Sequence, residues 1–283
     1  MYSVYGDESH DATNERVFAV GGVFGAQVQW DLAKHFWTER TGGKIFHAAE
    51  CESDQGEFAG IHHAENLALY KDLTQILACS GLYGYGAAID IAAANDFFPD
   101  NVGESPYHKC FAHVILEFGR YVSESFPGST VKFTFDRRHE IEYSAGQLYA
   151  WMVSDPEWEG SRAMVHEISF ASRKTPAIQI ADLFTREGMK ELDRMIGPVK
   201  RPRRKSLEAL AETKRFGFDL MSREYFQDFK EQLPTLLEKS GLKAGDYYAW
   251  VAAKGLTDCW TTRTKYAAQM QAIRFREKPE SAK

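Results

Sequence analysis

Two stretches of this chain run from strand-like sequence straight into an aspartate, and that repetition narrows what it can fold into. Tyr2 to Gly6 has the aromatic and β-branched character of a half-buried strand. Asp7, Glu8 and Ser9 follow and are poor strand material, so the strand is expected to stop at Gly6. Val131 to Phe135 alternates apolar and polar residues and runs into Asp136, with Arg137 and Arg138 behind it. Strand ends of a central sheet are where folds tend to collect their chemistry. Taken alone, Asp7-Glu8-Ser9 reads rather as a solvated hairpin turn, since Asp, Ser and Gly are also the commonest turn residues. Asp136, and a third acid at Asp182 in a comparable setting, shift that balance.

The rest of the chain alternates between the two periodicities. Val17 to Phe24 is a second apolar run, placed to pair with the first as an antiparallel hairpin. Gly21 and Gly22 within it suggest a bulge or a close approach by another backbone. Gln27 to Arg40 carries Trp30, Leu32, Ala33, Phe36 and Trp37 at helical spacing and stops at Gly42 and Gly43. Ile45, Phe46, His47 and Glu50 lead into a polar loop, an amphipathic helix from Leu67 to Leu77 ends at Gly81, and Tyr83 to Ile91 is a third strand. Tyr107 to Phe126 is a long helix with its stripe at Phe111, Val114, Ile115, Phe118 and Val122. After the fourth strand, Ile141 to Val153 reads as helix and Val165 to Phe170 as a fifth short strand.

Ser172 opens a loop into a helix from about Pro176, because proline suits a first helical turn. Ile178, Ala181, Phe184 and Thr185 line its buried face. Asp182 sits at the edge of that face and is expected to point toward the sheet, although a carboxylate there also complements the helix dipole. The composition changes at Lys200, where five cations fall in six residues to Lys205, and helical patterns follow at Leu207 to Lys214 and Tyr225 to Lys239. The expected division is therefore a domain over 1–198 and a basic linker with a helical C-terminal extension over 199–283.

Net charge excludes one class of partner and leaves another open. At -6 over 283 residues the chain has no global basic footprint, so binding to a polyanion would rest on a local basic patch or on metal ions. Cys51, Cys79, Cys110 and Cys259 are far apart and include no Cys-x-x-Cys pair, which disfavours a zinc ribbon or a disulfide framework. No apolar stretch approaches the ~20 residues needed to cross a bilayer. A cytoplasmic protein without membrane contact is expected.

The order strand, strand, strand, helix, strand, helix, strand, helix, with acids after the first and fourth strands and on the last helix, is the layout of a ribonuclease H-like fold. The expected class is thus α/β: a mixed five-stranded sheet flanked by helices, with the C-terminal helical extension. The Asp7-Glu8-Ser9 turn, the Gly21-Gly22 strand, the strand ending at Asp136, and Ser172, Lys174, Gln179 and Asp182 together resemble an uncharacterised bacterial family, domain of unknown function 3800. His10 stands where that family usually has glycine. The family is grouped with ribonuclease H-like nucleases, so the resemblance, which covers roughly residues 2–190, implies a nuclease acting on DNA or RNA. It equally admits a non-catalytic binding or assembly protein of mobile-element or phage-defence systems, because fold does not establish activity.

Residue chemistry gives the nuclease reading its physical content. Phosphodiester hydrolysis gains from divalent ions, typically two about 3.5 to 4 Å apart, that activate a water and stabilise the leaving oxygen. Hard carboxylate oxygens select Mg²⁺ or Mn²⁺, and Asp7, Asp136 and Asp182 would repel one another without such a cation. Glu50, three residues after His47, is favoured over Glu8 as a fourth acid, since extended backbone turns Glu8 to the other side. His47 or His10 is placed for proton transfer near neutral pH. Lys174, Gln179 and Arg137 are candidates for substrate contact, with loop solvation and helix surface as the alternative for the first two. The run from Lys200 to Lys205 reads as a solvated linker or as a phosphate-backbone contact. His108 and His113 flank Cys110, but five residues apart on a helix their imidazoles point well apart, and no serine-hydrolase elbow or phosphate-binding loop is present.

Overall fold

The computed structural model describes residues 1–97, 105–154 and 159–239. Six strands form one sheet: β1 (Tyr2–His10), β2 (Val17–Ala26), β3 (Tyr83–Asp90), β4 (Val131–Asp136), β5 (Ser169–Ala171) and β6 (Phe216–Met221), in the order β5-β4-β1-β2-β3-β6. β2 runs antiparallel to both its neighbours, and the other pairings are parallel. The sheet expected to have five strands therefore has six among the described residues. Phe216, Phe218 and Leu220 alternate within β6, but a six-residue run with a period of two is easily lost beside helical patterns. What makes it a strand is the ladder that β3 offers, from Gly84 opposite Phe216 to Ile89 opposite Met221.

β1 brings a second correction. The strand expected to stop at Gly6 continues through Asp7, Glu8 and Ser9, paired residue for residue with β2 as far as His10 opposite Phe18. Weak local strand preference gives way because each backbone group gains a ladder partner. Asp7 thus stands on a rigid strand and not in a turn.

Both faces of the sheet are covered. On one side lie α5 (Pro106–Ser125) and α6 (Glu142–Val153), enclosing Val4, Phe24, Phe111, Phe118, Phe133 and Tyr149. On the other lie α7 (Pro176–Ile196), α1 (Gln27–Thr41) and α3 (His63–Cys79), around Val23, Trp30, Trp37, Leu73 and Phe184. Double coverage explains why β2 reads as an almost unbroken apolar run. Trp30, Ala33 and Trp37 face the core from α1, whereas Leu32 and Phe36, also expected in its stripe, are exposed. Of the short helices, α2 (Ala48–Ser53) lies between α1 and α3 and α4 (Ile91–Phe97) follows β3 directly, while α8 (Lys205–Glu212) and α9 (Arg223–Lys239) flank β6. Residues 240–283 of the expected C-terminal extension, Cys259 among them, lie outside the described residues. No helix among the described residues is long and apolar enough to cross a membrane.

Gly21 and Gly22 mark close approach without a bulge, since the β1–β2 register is continuous. A Cβ on Gly21 would overlap the Thr185 hydroxyl. That missing atom lets α7 lie tight on the sheet, with Thr185 Oγ1 2.8 Å from the Ala181 carbonyl and 3.3 Å from the Asp7 carbonyl.

The basic run is largely exposed but is tethered by ion pairs. Arg201 donates to Asp193 Oδ2 at 2.7 Å, Arg203 lies 3.4 Å from Glu191, and Arg204 forks onto Glu187 with contacts of 2.9 to 3.2 Å while also pairing with Glu52. Three of its five cations thus strap the chain to acids of α7 and α2.

Candidate functional site

Strand parity decides which acids can meet. Val4 packs with the α5 side and Tyr5 with the α7 side, so Asp7, two residues beyond Tyr5, faces α7, and Glu8 faces α5. In β4, Phe133 and Phe135 belong to the α5 side, which turns Asp136 toward α7. The parallel β1–β4 ladder pairs Gly6 with Phe135, and Asp7 and Asp136 are the next residue on each strand. Asp182 projects from the helix covering that same face and is buried, with Oδ2 accepting from the Ala48 N–H at 2.7 Å. Asp7, Asp136 and Asp182 therefore come together at one rim of the sheet.

Their electrostatics report this grouping. Burial, then the charges of Glu8, Asp182 and Asp136, hold the Asp7 carboxyl well above the usual carboxylate range, opposed by the Glu8 N–H at 2.7 Å. Burial also raises Asp182, against His47 and the Ala48 N–H, with Asp136 adding to the rise. Asp136 is raised by burial against the Arg137 N–H and the charges of Arg173, His47 and Arg138. Glu8 is pushed up to about 7 by burial, although Arg138 Nη1 sits 3.0 Å from its Oε1. Among the described residues no group of three or more His, Cys, Asp or Glu side chains is spaced to hold a metal ion.

His47 stands at the N-cap position of α2 without a side-chain cap bond, near enough to Asp136 and Asp182 to act on both electrostatically. Its Nδ1 makes no hydrogen bond among the described residues and lies 3.7 Å from Glu50 Oε1. Glu50 adjoins the cluster through His47 and through Arg173, whose Nη1 is 3.8 Å away. His10 is occupied differently, stacked on Phe18 with Nδ1 2.8 Å from the Asp11 carbonyl. His108 meets Ser144 and His113 meets Asp219, so these two imidazoles do not converge.

The candidates for substrate contact separate. Lys174 is exposed on the loop before α7. Arg137 is engaged by the Phe170 carbonyl and Glu142. Gln179 is buried and its amide is fully engaged: Oε1 accepts from Trp37 Nε1 at 3.0 Å and the Phe46 N–H at 3.2 Å, and Nε2 donates to the Arg173 and Lys174 carbonyls at 3.0 and 3.5 Å. Expected to hold a substrate, it instead pins the loop that carries Arg173. Gln179→Leu strands two buried donors and releases the loop, so a stability loss of about 2–4 kcal/mol is expected in urea titration. A loss below about 1 kcal/mol would show that the amide network is dispensable.

Sequence reasoning passed over Arg138 and Arg173. The only local mark of Arg138 is its place two residues past the end of β4 at Asp136. Nothing local marks Arg173.

No family model matches the chain, and no curated protein matches it. Among solved structures, it is similar to a chain of the PCNA:RNase HII complex from Archaeoglobus fulgidus, at 11% identity and a TM-score of 0.39, over 77% of this chain and 92% of that one.

Proposed function

We propose that this chain is a divalent-metal-dependent nuclease of ribonuclease H-like fold, related to the family its motifs resemble, with DNA or RNA as substrate. The observation that carries the reading is Asp7: a carboxylate buried on a rigid strand, raised by burial and by three neighbouring acids. Proteins keep such repelling groups together at a cost, and a bound cation offsets it. The donor set fits Mg²⁺ or Mn²⁺, being hard carboxylate oxygens throughout. Asp7, Asp136 and Asp182 would hold the ion, with Glu50 as a further acid, since Glu8 faces the other side of the sheet and pairs with Arg138. When bound, the ion supplies activation of a water and stabilisation of the leaving oxygen.

The remaining tasks fall to the chain's own residues. Thr185 and the β1 ladder hold Asp7 in place, and the Ala48 N–H fixes the Asp182 carboxylate. His47, with its unpartnered Nδ1 beside Glu50, is positioned to accept or return a proton.

Two measurements test this. Manganese is expected to raise the melting temperature of the parent and not of Asp136→Asn. A mixed panel of single- and double-stranded nucleic acids is expected to be cut by the parent in manganese and left intact by the variant. No metal response and no cleavage would favour a non-catalytic binding or assembly protein.

A further inference from the structure

We propose that Arg138 and Arg173 are two arms of a phosphate clamp that grips a nucleic-acid backbone across the acidic rim, an inference that rests on the nuclease reading for what lies between them. Both guanidinium charges act on Asp136. They reach it from opposite faces of the sheet. Arg138 is held by Glu8, which faces α5, while Arg173 is held near Glu50 of α2, a helix packed on α7.

Each arm is tethered and still open. Arg138 contacts Glu8 through Nη1 and its side chain is 34% exposed; Arg173 contacts Glu50 through Nη1 and is 59% exposed. A guanidinium has five N–H donors in a planar fork that matches phosphate, so one such contact leaves most of it available. Gln179 anchors the Arg173 backbone, which lowers the ordering cost of binding. Other nearby arginines are committed elsewhere, Arg137 to Phe170 and Glu142, and Arg201, Arg203 and Arg204 to acids of α7. With a net charge of -6, local cations beside the acids are what a polyanion would need. Arms on opposite faces suit a chain of phosphates and not a single small phosphodiester.

Fluorescence anisotropy of a labelled single-stranded oligonucleotide, titrated with the full chain in calcium over a range of KCl, tests the clamp without requiring turnover. Arg138→Ala and Arg173→Ala are each expected to reduce the slope of log K against log salt by about 0.7, equally for all base sequences, while Lys132→Ala, an exposed lysine near the start of β4 and so at the far end of that strand from Asp136, leaves it unchanged. Because Arg138→Ala deprives Glu8 of its partner, Arg138→Lys is the second variant: the slope should hold while affinity falls several-fold, since the charge stays and the fork is lost. Parental slopes in both alanine variants, full affinity in Arg138→Lys, or no binding by the parent at low salt would overturn the clamp. Binding with these slopes and no manganese-dependent cleavage would keep the clamp and remove the nuclease reading.

Discussion

Asp7→Asn is expected to abolish manganese-dependent cleavage and, at the same time, to raise the melting temperature of the metal-free protein. The first effect follows from the ion's role: its charge stabilisation is worth several kcal/mol, and at about 1.36 kcal/mol per decade its loss means about 10³-fold or more in rate. The second follows from the sign of the shift. A carboxyl whose proton affinity is raised on folding contributes stability that is complete below its ordinary value and is lost as pH rises through the folded value. For Glu8 that window runs from 4.5 to about 7, and for Asp7 it opens at 3.8. Metal-free parent should therefore lose stability as pH rises toward neutrality. Asparagine keeps the shape and an oxygen for the Glu8 N–H while removing the charge, so the variant's pH profile should be shallower. Scanning calorimetry with EDTA across that range reads the difference. A variant that cuts like the parent, or one that is less stable at neutral pH, would contradict the account.

Glu187→Ala should be the most destabilising single change away from the acidic rim, costing about 3–5 kcal/mol. Glu187 is fully buried, yet it accepts from the Tyr70 hydroxyl at 2.7 Å and from the Arg204 fork, with Arg204 also lying over the Tyr70 ring at 5.5 Å. Removing Glu187 takes the main acid from a half-buried Arg204 and the acceptor from the buried Tyr70 hydroxyl, and that penalty is a large share of a total stability of about 5–15 kcal/mol. Glu52 gives Arg204 a second acid and also takes Arg186 Nε at 3.0 Å, so the loss is partial and not complete. Urea unfolding measures it. High salt should change the result little, because buried pairs are poorly screened. A loss below about 1 kcal/mol would mean the clasp is no stronger than a surface pair.

Much of the layout was legible because helical and strand periods are local properties. The stripe of α5 and the buried set Ile178, Ala181, Phe184 and Thr185 on α7 came directly from spacing. Val131 to Asp136 likewise showed itself by alternation. Less legible was anything set by a partner far along the chain. β1 continues past Gly6 because β2 supplies a ladder there, and β6 forms because β3 has a free edge. The ion pairs of Arg201 to Arg204 were not legible because their acids, Glu187, Glu191 and Asp193, lie on α7 and meet them only in the folded chain. Gln179 looked available for the same reason, since Trp37 and Phe46 lie more than a hundred residues away in sequence.

The sequence by itself therefore determined which residue types stand at strand ends and on which helical face, and so which three aspartates were candidates. Only the tertiary structure decided that the three share one face of the sheet, that Glu8 lies on the other, and which arginines are consumed and which remain open. The reason is physical: a side-chain period of two or 3.6 is written into neighbouring residues, whereas burial and ion pairing depend on groups that meet only when the chain closes on itself.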